Sequence, residues 1–204
     1  MRKQPKDLER MIQAAESVRG TARVCGILAN PVEHSMSPML QNLYGESTGT
    51  DLVYVPFKVK EEELQAAVSG AFALNILGMN VTVPHKQEVM KYLDDVDEEA
   101  REVGAVNTLV RTERGYKGYN TDVEGLRRAV EEAGFAVNGR DCLLIGAGGA
   151  ARAAVCMMVR GKAGSITVLN RSLEKAEELA EYGNRIAGRD LMKALPLSQW
   201  KELS

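Results

Sequence analysis

The stretch CLLIGAGGAARAAVCMMV, residues 142–159, constrains this chain more than any other. A short apolar run reaches Ile145, glycines stand at Gly146, Gly148 and Gly149, and a second apolar run starts near Ala150. That order predicts a strand, a tight turn and a helix. A turn without side chains lets the backbone approach an anion, and the helix behind it aims free N–H groups at that anion. Ala151 stands where the commonest dinucleotide fingerprint has its last Gly or Ala. A plainer account, in which the glycines only let helix and strand pack closely, says nothing of a ligand. The strand–turn–helix context favours a nucleotide site at Gly146, Gly148, Gly149 and Ala150.

The next strand, SITVLNRS, sharpens this reading. Folds that bind NAD usually place Asp or Glu at its end, where the acid holds the ribose hydroxyls. Here the residues are Asn170, Arg171 and Ser172. A guanidinium pairs with a phosphate and can lie flat on an adenine, whereas a carboxylate would repel the phosphate. The expected cofactor is therefore NADP. An exposed arginine followed by a helix-capping Ser172 is the alternative, and it leaves the missing acid unexplained.

Upstream, RVCGILA (23–29), LVYVPF and NILGMNVTV (75–83) predict strands, and AVNTLVRT and GYKGYNT predict a hairpin about ERG. Helices are expected over residues 7–18, after Ser37 as N-cap with Pro38 in the first turn, over 61–73, over 84–93 and through DEEAREVG. One more begins at Asp122, with Val123, Leu126, Val130 and Ala133 inward, and SLEKAEELAEYG forms another. Strands alternating with helices give an α/β class: an N-terminal α/β substrate domain plus an incomplete Rossmann-type dinucleotide-binding domain. The expected boundaries are an extension at 1–22, a substrate-binding and catalytic domain at 23–121, and a cofactor domain at 122–204. The strand CLLIG is expected to be buried.

The chain has 204 residues and a net charge of -2, which gives no reason to expect a nucleic-acid or membrane-surface partner. No apolar run approaches a membrane span, and the charged N-terminus lacks a signal peptide's apolar stretch. Cys25, Cys142 and Cys156 are odd in number, far apart and set in apolar surroundings, so buried reduced thiols and a cytoplasmic location are expected. His34 and His85 have no partner cluster at metal spacing, so no metal is expected.

Polar residues gather at the ends of apolar stretches: Lys86, Asn107, Thr108, Asn120, Thr121 and Asp122. Strand ends are where α/β folds bind ligands. Asparagine and threonine suit a polyhydroxylated molecule. A lysine–carboxylate pair suits proton transfer at an alcohol or ketone, since lysine is an acid when charged and a base when neutral. Ser35 and Ser37, beside a helix start, offer hydroxyl and N–H donors for a carboxylate, although helix capping also accounts for Ser37.

NPVEHSMSP, GMNVTVPHK, GAVNT, GYNTD, GAGGAARA and NRS occur in an order that resembles the shikimate dehydrogenases, from residue 23 to about residue 180. The resemblance implies NADP-dependent reduction of 3-dehydroshikimate to shikimate in the chorismate branch of aromatic amino-acid biosynthesis. It implies a catalytic pair at Lys86 and Asp122. It gives Ser35 and Ser37 the substrate carboxylate, and Thr82, Asn107 and Asp122 the ring hydroxyls. Gly148, Gly149 and Ala150 would meet the pyrophosphate, and Asn170 and Arg171 the adenosine 2′-phosphate. Gln41 and Ser172 depart from the family's frequent histidine and threonine. Family members continue further, so a cofactor sheet with unpaired edges and doubtful activity in isolation are expected. A quinate/shikimate dehydrogenase with other cofactor preference and a non-catalytic binding module remain the alternatives. The sequence implies no oligomeric state.

Overall fold

The structure is a computed structural model that describes residues 18–203. The helix expected over 7–18 falls almost wholly outside the described residues.

The first strand, β1 (Arg23–Ala29), ends where Asn30 and Pro31 interrupt the ladder. Helix α1 (Ser37–Thr48) follows and closes on Gly49, whose left-handed φ of 66° suits glycine. Ser37 is not the cap. It already lies in the helix, and its N–H donates to the Oγ of Ser35 at 3.3 Å. Strand β2 (Leu52–Lys58), a 3-10 turn at Glu61–Glu63 and helix α2 (Leu64–Ala73) come next. Strand β3 (Gly78–Val81) is shorter than its apolar run suggests. The helix expected over 84–93 is a turn and a 3-10 segment at Glu88–Tyr92. Pro84 at its head and β-branched Val89 within it both weaken an α-helical reading.

Strand β4 (Asp95–Val96) leads to helix α3 (Glu98–Val103), where Asp97 accepts from the N–H of Glu99. The hairpin is present as β5 (Thr108–Arg111) and β6 (Tyr116–Tyr119), and α4 (Asp122–Glu132) starts at the expected aspartate. Val123 is buried and Leu126 and Val130 pack on the same core, but Ala133 is exposed. The remainder alternates β7 (Asp141–Ile145), α5 (Ala151–Arg160), β8 (Ser165–Asn170), α6 (Leu173–Ala187) and β9 (Met192–Pro196), ending in a 3-10 segment at Leu197–Leu203.

These strands form two sheets. One has six strands in the order β2-β1-β3-β5-β6-β4; β1 pairs in parallel with β2 and β3, and β5 runs antiparallel to β3 and β6. The other is the parallel sheet β7-β8-β9. Strand β9 was not evident in the sequence, and it puts β8 in the middle of this sheet. The expectation of a buried β7 fails. It is an edge strand whose Leu143 and Ile145 are 52% and 67% exposed, while the alternate residues Cys142 and Leu144 face the core. The helices that contact this sheet cover that inner face.

The six-stranded sheet buries Leu28, Leu64, Val81, Val106, Leu109 and Tyr116 in one cluster. A second cluster forms under α5 and α6 around Val155, Cys156, Ile166, Val168 and Tyr182. Val103 and Ala105, from the chain just before β5, belong to this second cluster although Val106 belongs to the first. All three cysteines are free, and burial raises each thiol above its ordinary value; only Cys156 is fully buried. No helix among the described residues is long and apolar enough to cross a membrane.

Tyr116 anchors the first core chemically as well as by volume. It is 1% exposed, and its hydroxyl donates to the carbonyl of Ile76 at 2.7 Å. Tyr116→Phe leaves that carbonyl without this donor, so urea unfolding should show a loss of about 1–3 kcal/mol with an unchanged m-value.

Candidate active site

Strands β1, β2 and β3 run in parallel, so the loops that follow them open on one edge of the sheet. The loop after β3 is held rigidly there. Thr82 N–H donates to the Leu28 carbonyl (3.1 Å), Asn30 N–H to the Val83 carbonyl (3.2 Å) and His85 N–H to the Thr82 carbonyl (2.9 Å). His85 is 1% exposed and places Nε2 2.8 Å from the Val59 carbonyl, which requires the ring nitrogen to be the donor. It packs the loop, as expected of a histidine without metal partners. The described residues contain no group of three or more His, Cys, Asp or Glu suited to a metal ion.

Lys86 leaves this braced turn with its Nζ 2.6 Å from Asp122 Oδ2; the two side chains are 14% and 26% exposed. The other carboxylate oxygen accepts from Asn107 Nδ2 at 2.8 Å. Asn107 also donates to Thr121 Oγ1 (2.9 Å), and its Oδ1 accepts from the N–H of Thr121 (3.0 Å) and the hydroxyl of Thr108 (2.9 Å). Asn120 donates to the Ala105 carbonyl and accepts from the N–H of Asp122, both at 2.9 Å. Asp122 occupies the first turn of α4, where the helix dipole attracts a carboxylate. The polar residues grouped from sequence thus form one bonded cluster. With one of its three N–H bonds committed to Asp122, Lys86 keeps donors for a ligand.

Ser35 and Thr82 on the neighbouring loops, and Ser37 at the start of α1, are half-buried and outside this bonded cluster. The Ser35 hydroxyl is engaged with the start of α1.

Across from Lys86 lies the glycine turn. A cleft of about 440 Å³ has Val83, Lys86 and Ala105 on one wall and Gly148, Gly149 and Arg152 on the other. Gly146 holds φ at 103°, which L side chains rarely adopt. A Cβ on Gly149 would come within 3.2 Å of the Val83 side chain on the facing wall. Helix α5 begins at this turn with no side-chain cap and no acidic residue in its first turn. Its N-terminus therefore suits a phosphate and offers nothing to repel it. A dinucleotide pyrophosphate fits these residues.

The NRS residues sit at the end of β8, on the same edge of the parallel sheet as the turn after β7. Asn170 donates to the Ser172 carbonyl at 2.9 Å, and the Ser172 hydroxyl accepts from Lys175 N–H at 3.5 Å as the cap of α6. Arg171 is exposed and lines a cavity of about 420 Å³ with Pro196, Leu197, Ser198 and Trp200. Sequence reasoning missed Arg152 and Tyr182. The available signal was a single cation near the start of a mostly apolar helix.

Fold and cleft together define an α/β protein in which a Rossmann-type parallel sheet faces a lysine–carboxylate pair. Residues 27–109 match the family described as shikimate dehydrogenase substrate binding domain, and residues 128–202 match shikimate / quinate 5-dehydrogenase. The shikimate dehydrogenase (NADP(+)) of Geobacter metallireducens is 46% identical over 181 residues, 88% of this chain and 63% of the relative. A crystal structure of a shikimate dehydrogenase in complex with NADP+ superposes with a TM-score of 0.82 at 39% identity, covering 89% of this chain and 63% of that one. The shikimate 5-dehydrogenase of Listeria monocytogenes, in complex with shikimate and NAD, gives a TM-score of 0.81 at 34% identity over 91% of this chain and 65% of that one. The chain belongs to the shikimate dehydrogenase family. It spans about three fifths of the length of the curated relatives it matches.

Because the pair is largely shielded from water, its members depend on each other. Lys86→Met should leave Asp122 short of a cation, and Asp122→Asn should leave Lys86 short of an anion. The double variant should recover about 1–3 kcal/mol of the summed losses in a thermodynamic cycle from denaturant unfolding.

Proposed function

We propose that the chain carries the substrate and dinucleotide halves of an NADP-dependent shikimate dehydrogenase, interconverting 3-dehydroshikimate and shikimate in aromatic amino-acid biosynthesis. Residues 23–121 would hold the small acid and 122–204 the dinucleotide. One observation carries the reading: Lys86 lines the cleft that also bares Gly148 and Gly149, and behind it the amine is held 2.6 Å from Asp122. A cytoplasmic location accords with three free cysteines.

When bound, NADPH supplies a hydride to the ketone carbon. The chain's own work is binding and proton management. The Lys86 ammonium donates a proton to the oxygen that becomes the alcohol, and in the reverse direction the neutral amine takes it back. Asp122 holds the amine through Oδ2 while Asn107 holds Asp122 through Oδ1, so the amine has little freedom to turn away. Thr82, Asn107 and Asp122 would take the ring hydroxyls, and Ser35 with Ser37 would take the carboxylate through their hydroxyls, their N–H groups being engaged with Val32 and Ser35. Gly146, Gly148, Gly149 and Ala150 would hold the pyrophosphate. Asn170, Arg171 and Ser172 would hold the adenosine end, with Arg171 on the 2′-phosphate.

Lys86→Ala should lower kcat for shikimate oxidation by about 10²–10⁴-fold while leaving the dissociation constant for NADP nearly unchanged. Full activity in Lys86→Ala would contradict the assignment.

Arg171→Ala should raise KM for NADPH by about 10–100-fold, the loss of one charge-assisted contact, and leave KM for NADH within a few-fold. Initial rates with both cofactors measure the difference.

A further inference from the structure

Arg152 follows the glycine turn by three residues and, though it borders the cleft, is tied back into the fold. Its Nε donates to the Val103 carbonyl at 2.7 Å, in the last turn of α3. Its guanidinium lies 3.9 Å above the ring of Tyr182 on α6. The Tyr182 hydroxyl in turn donates to the Glu102 carbonyl at 3.1 Å. The final carbonyls of α3 are thus capped from outside, by one residue of α5 and one of α6. Arg160, at the far end of α5, pairs with Glu99 and Glu102 of α3. Burial draws the Arg152 guanidinium down from its ordinary value and pushes the Tyr182 hydroxyl up to about 12, so a cation and a neutral phenol form the stack at neutral pH.

The chain beyond Val103 runs straight into the candidate site. Val103 and Ala105 pack in the core under α5 and α6, Val106 N–H donates to the Lys86 carbonyl at 2.7 Å, and Asn107 holds Asp122. Gly104 between them has φ 68°, and a Cβ there would fall 2.7 Å from Nη2 of Arg152. The glycine of GAVNT therefore has a reason beyond its own backbone: it makes room for this guanidinium.

We propose that Arg152 is a positioning residue that locks the helix behind the glycine turn onto the 103–107 segment, and so fixes the distance between the dinucleotide turn and the Lys86–Asp122 pair. Gly104 supplies the space for the lock and Tyr182 its platform. The inference deepens the dehydrogenase reading and rests on it for its kinetic consequence. Each ligand binds to its own half, but the reacting atoms meet only when the halves are in register, and small misplacements are costly to rate.

The test compares Arg152→Ala, Arg152→Lys, Gly104→Ala and the double variant Arg152→Ala/Gly104→Ala with the unaltered chain, after thermal unfolding has identified those that fold. Arg152→Ala should lower kcat for shikimate oxidation about 10–100-fold while the dissociation constants for NADPH and shikimate, titrated separately, stay within about threefold. Arg152→Lys should not rescue, because a point charge on a flexible stem cannot both stack on Tyr182 and reach the Val103 carbonyl. Gly104→Ala should reproduce the loss, and the double variant should be no worse than the poorer single one. A raised dissociation constant for NADPH with kcat intact would make Arg152 a phosphate ligand instead, and rescue by lysine or multiplying losses would equally overturn the lock. Hydrogen exchange keeps the two readings separable. If the unaltered chain binds neither ligand and does not turn over, the dehydrogenase reading fails, yet the lock still predicts at least about tenfold faster exchange at the amides of Val106 and Asn107 in Arg152→Ala, with the β8 amides unchanged. Unchanged exchange at those two amides would sink the lock by itself.

Discussion

Five residues, Val103 to Asn107, must satisfy two cores and one polar site at once. Val103 and Ala105 face the cluster beneath α5 and α6, Val106 faces the cluster of the six-stranded sheet, and Asn107 faces the lysine–aspartate pair. Side chains alternate between the two bodies much as they would along a strand. The polar groups of the segment are paired as well. The Val103 carbonyl takes Arg152, the Ala105 carbonyl takes Asn120, and the N–H groups of Val106 and Asn107 go to the carbonyls of Lys86 and Tyr119. Packed interiors do not deform continuously, so a segment tied on both sides carries the position of one body to the other.

The cleft then needs no large net charge to receive anions. The chain as a whole carries -2, and Glu61, Glu88 and Glu178 even border the opening. What matters is local placement. The start of α5 presents backbone N–H groups uncapped by any side chain, Lys86 sits on the facing wall, and Arg171 stands at the end of the adjacent strand. Fixed dipoles in a partly water-excluded cleft act more strongly than surface charges screened over about 8 Å.

The strand–turn–helix unit was legible because glycines with such spacing between two apolar runs have few other uses. The hairpin at 108–119 and the start of α4 were legible for similar reasons of alternation and punctuation. Strand β9 was not: MKALP carries a lysine and a terminal proline, and only parallel pairing with β8 makes it a strand. The burial of β7 was misjudged because its composition reports apolarity and not which neighbours exist; Leu143 and Ile145 face away from the helices. Ser37 fitted a capping pattern, but the hydroxyl two residues earlier meets its amide. At the site, Lys86 and Asp122 could be grouped as polar ends of apolar runs, while their contact across 36 residues required the fold. Arg152 was invisible for a different reason. A lone arginine on a helix normally snorkels to water, and nothing local reveals that Tyr182 and the end of α3 wait for it.

In the proposed reaction, lysine at position 86 meets the demands of a reversible proton transfer. An arginine would pair with Asp122 at least as well, through a bidentate fork. It would also remain charged at every accessible pH, so it could assist the reduction of a ketone as a hydrogen-bond donor but never recover a proton from an alcohol. A histidine carries only two ring nitrogens, so one held by Asp122 would leave one for the ligand and none to spare for a second hydroxyl. The ammonium of Lys86 has three donors. One is fixed by Asp122, and the carboxylate is itself fixed by Asn107. In the proposed reaction the others serve a ring hydroxyl and the reacting oxygen. Holding the pair at 2.6 Å while leaving both side chains partly exposed, rather than burying them fully, keeps the cost of desolvating two charges moderate. The amine is thereby anchored firmly enough to be aimed.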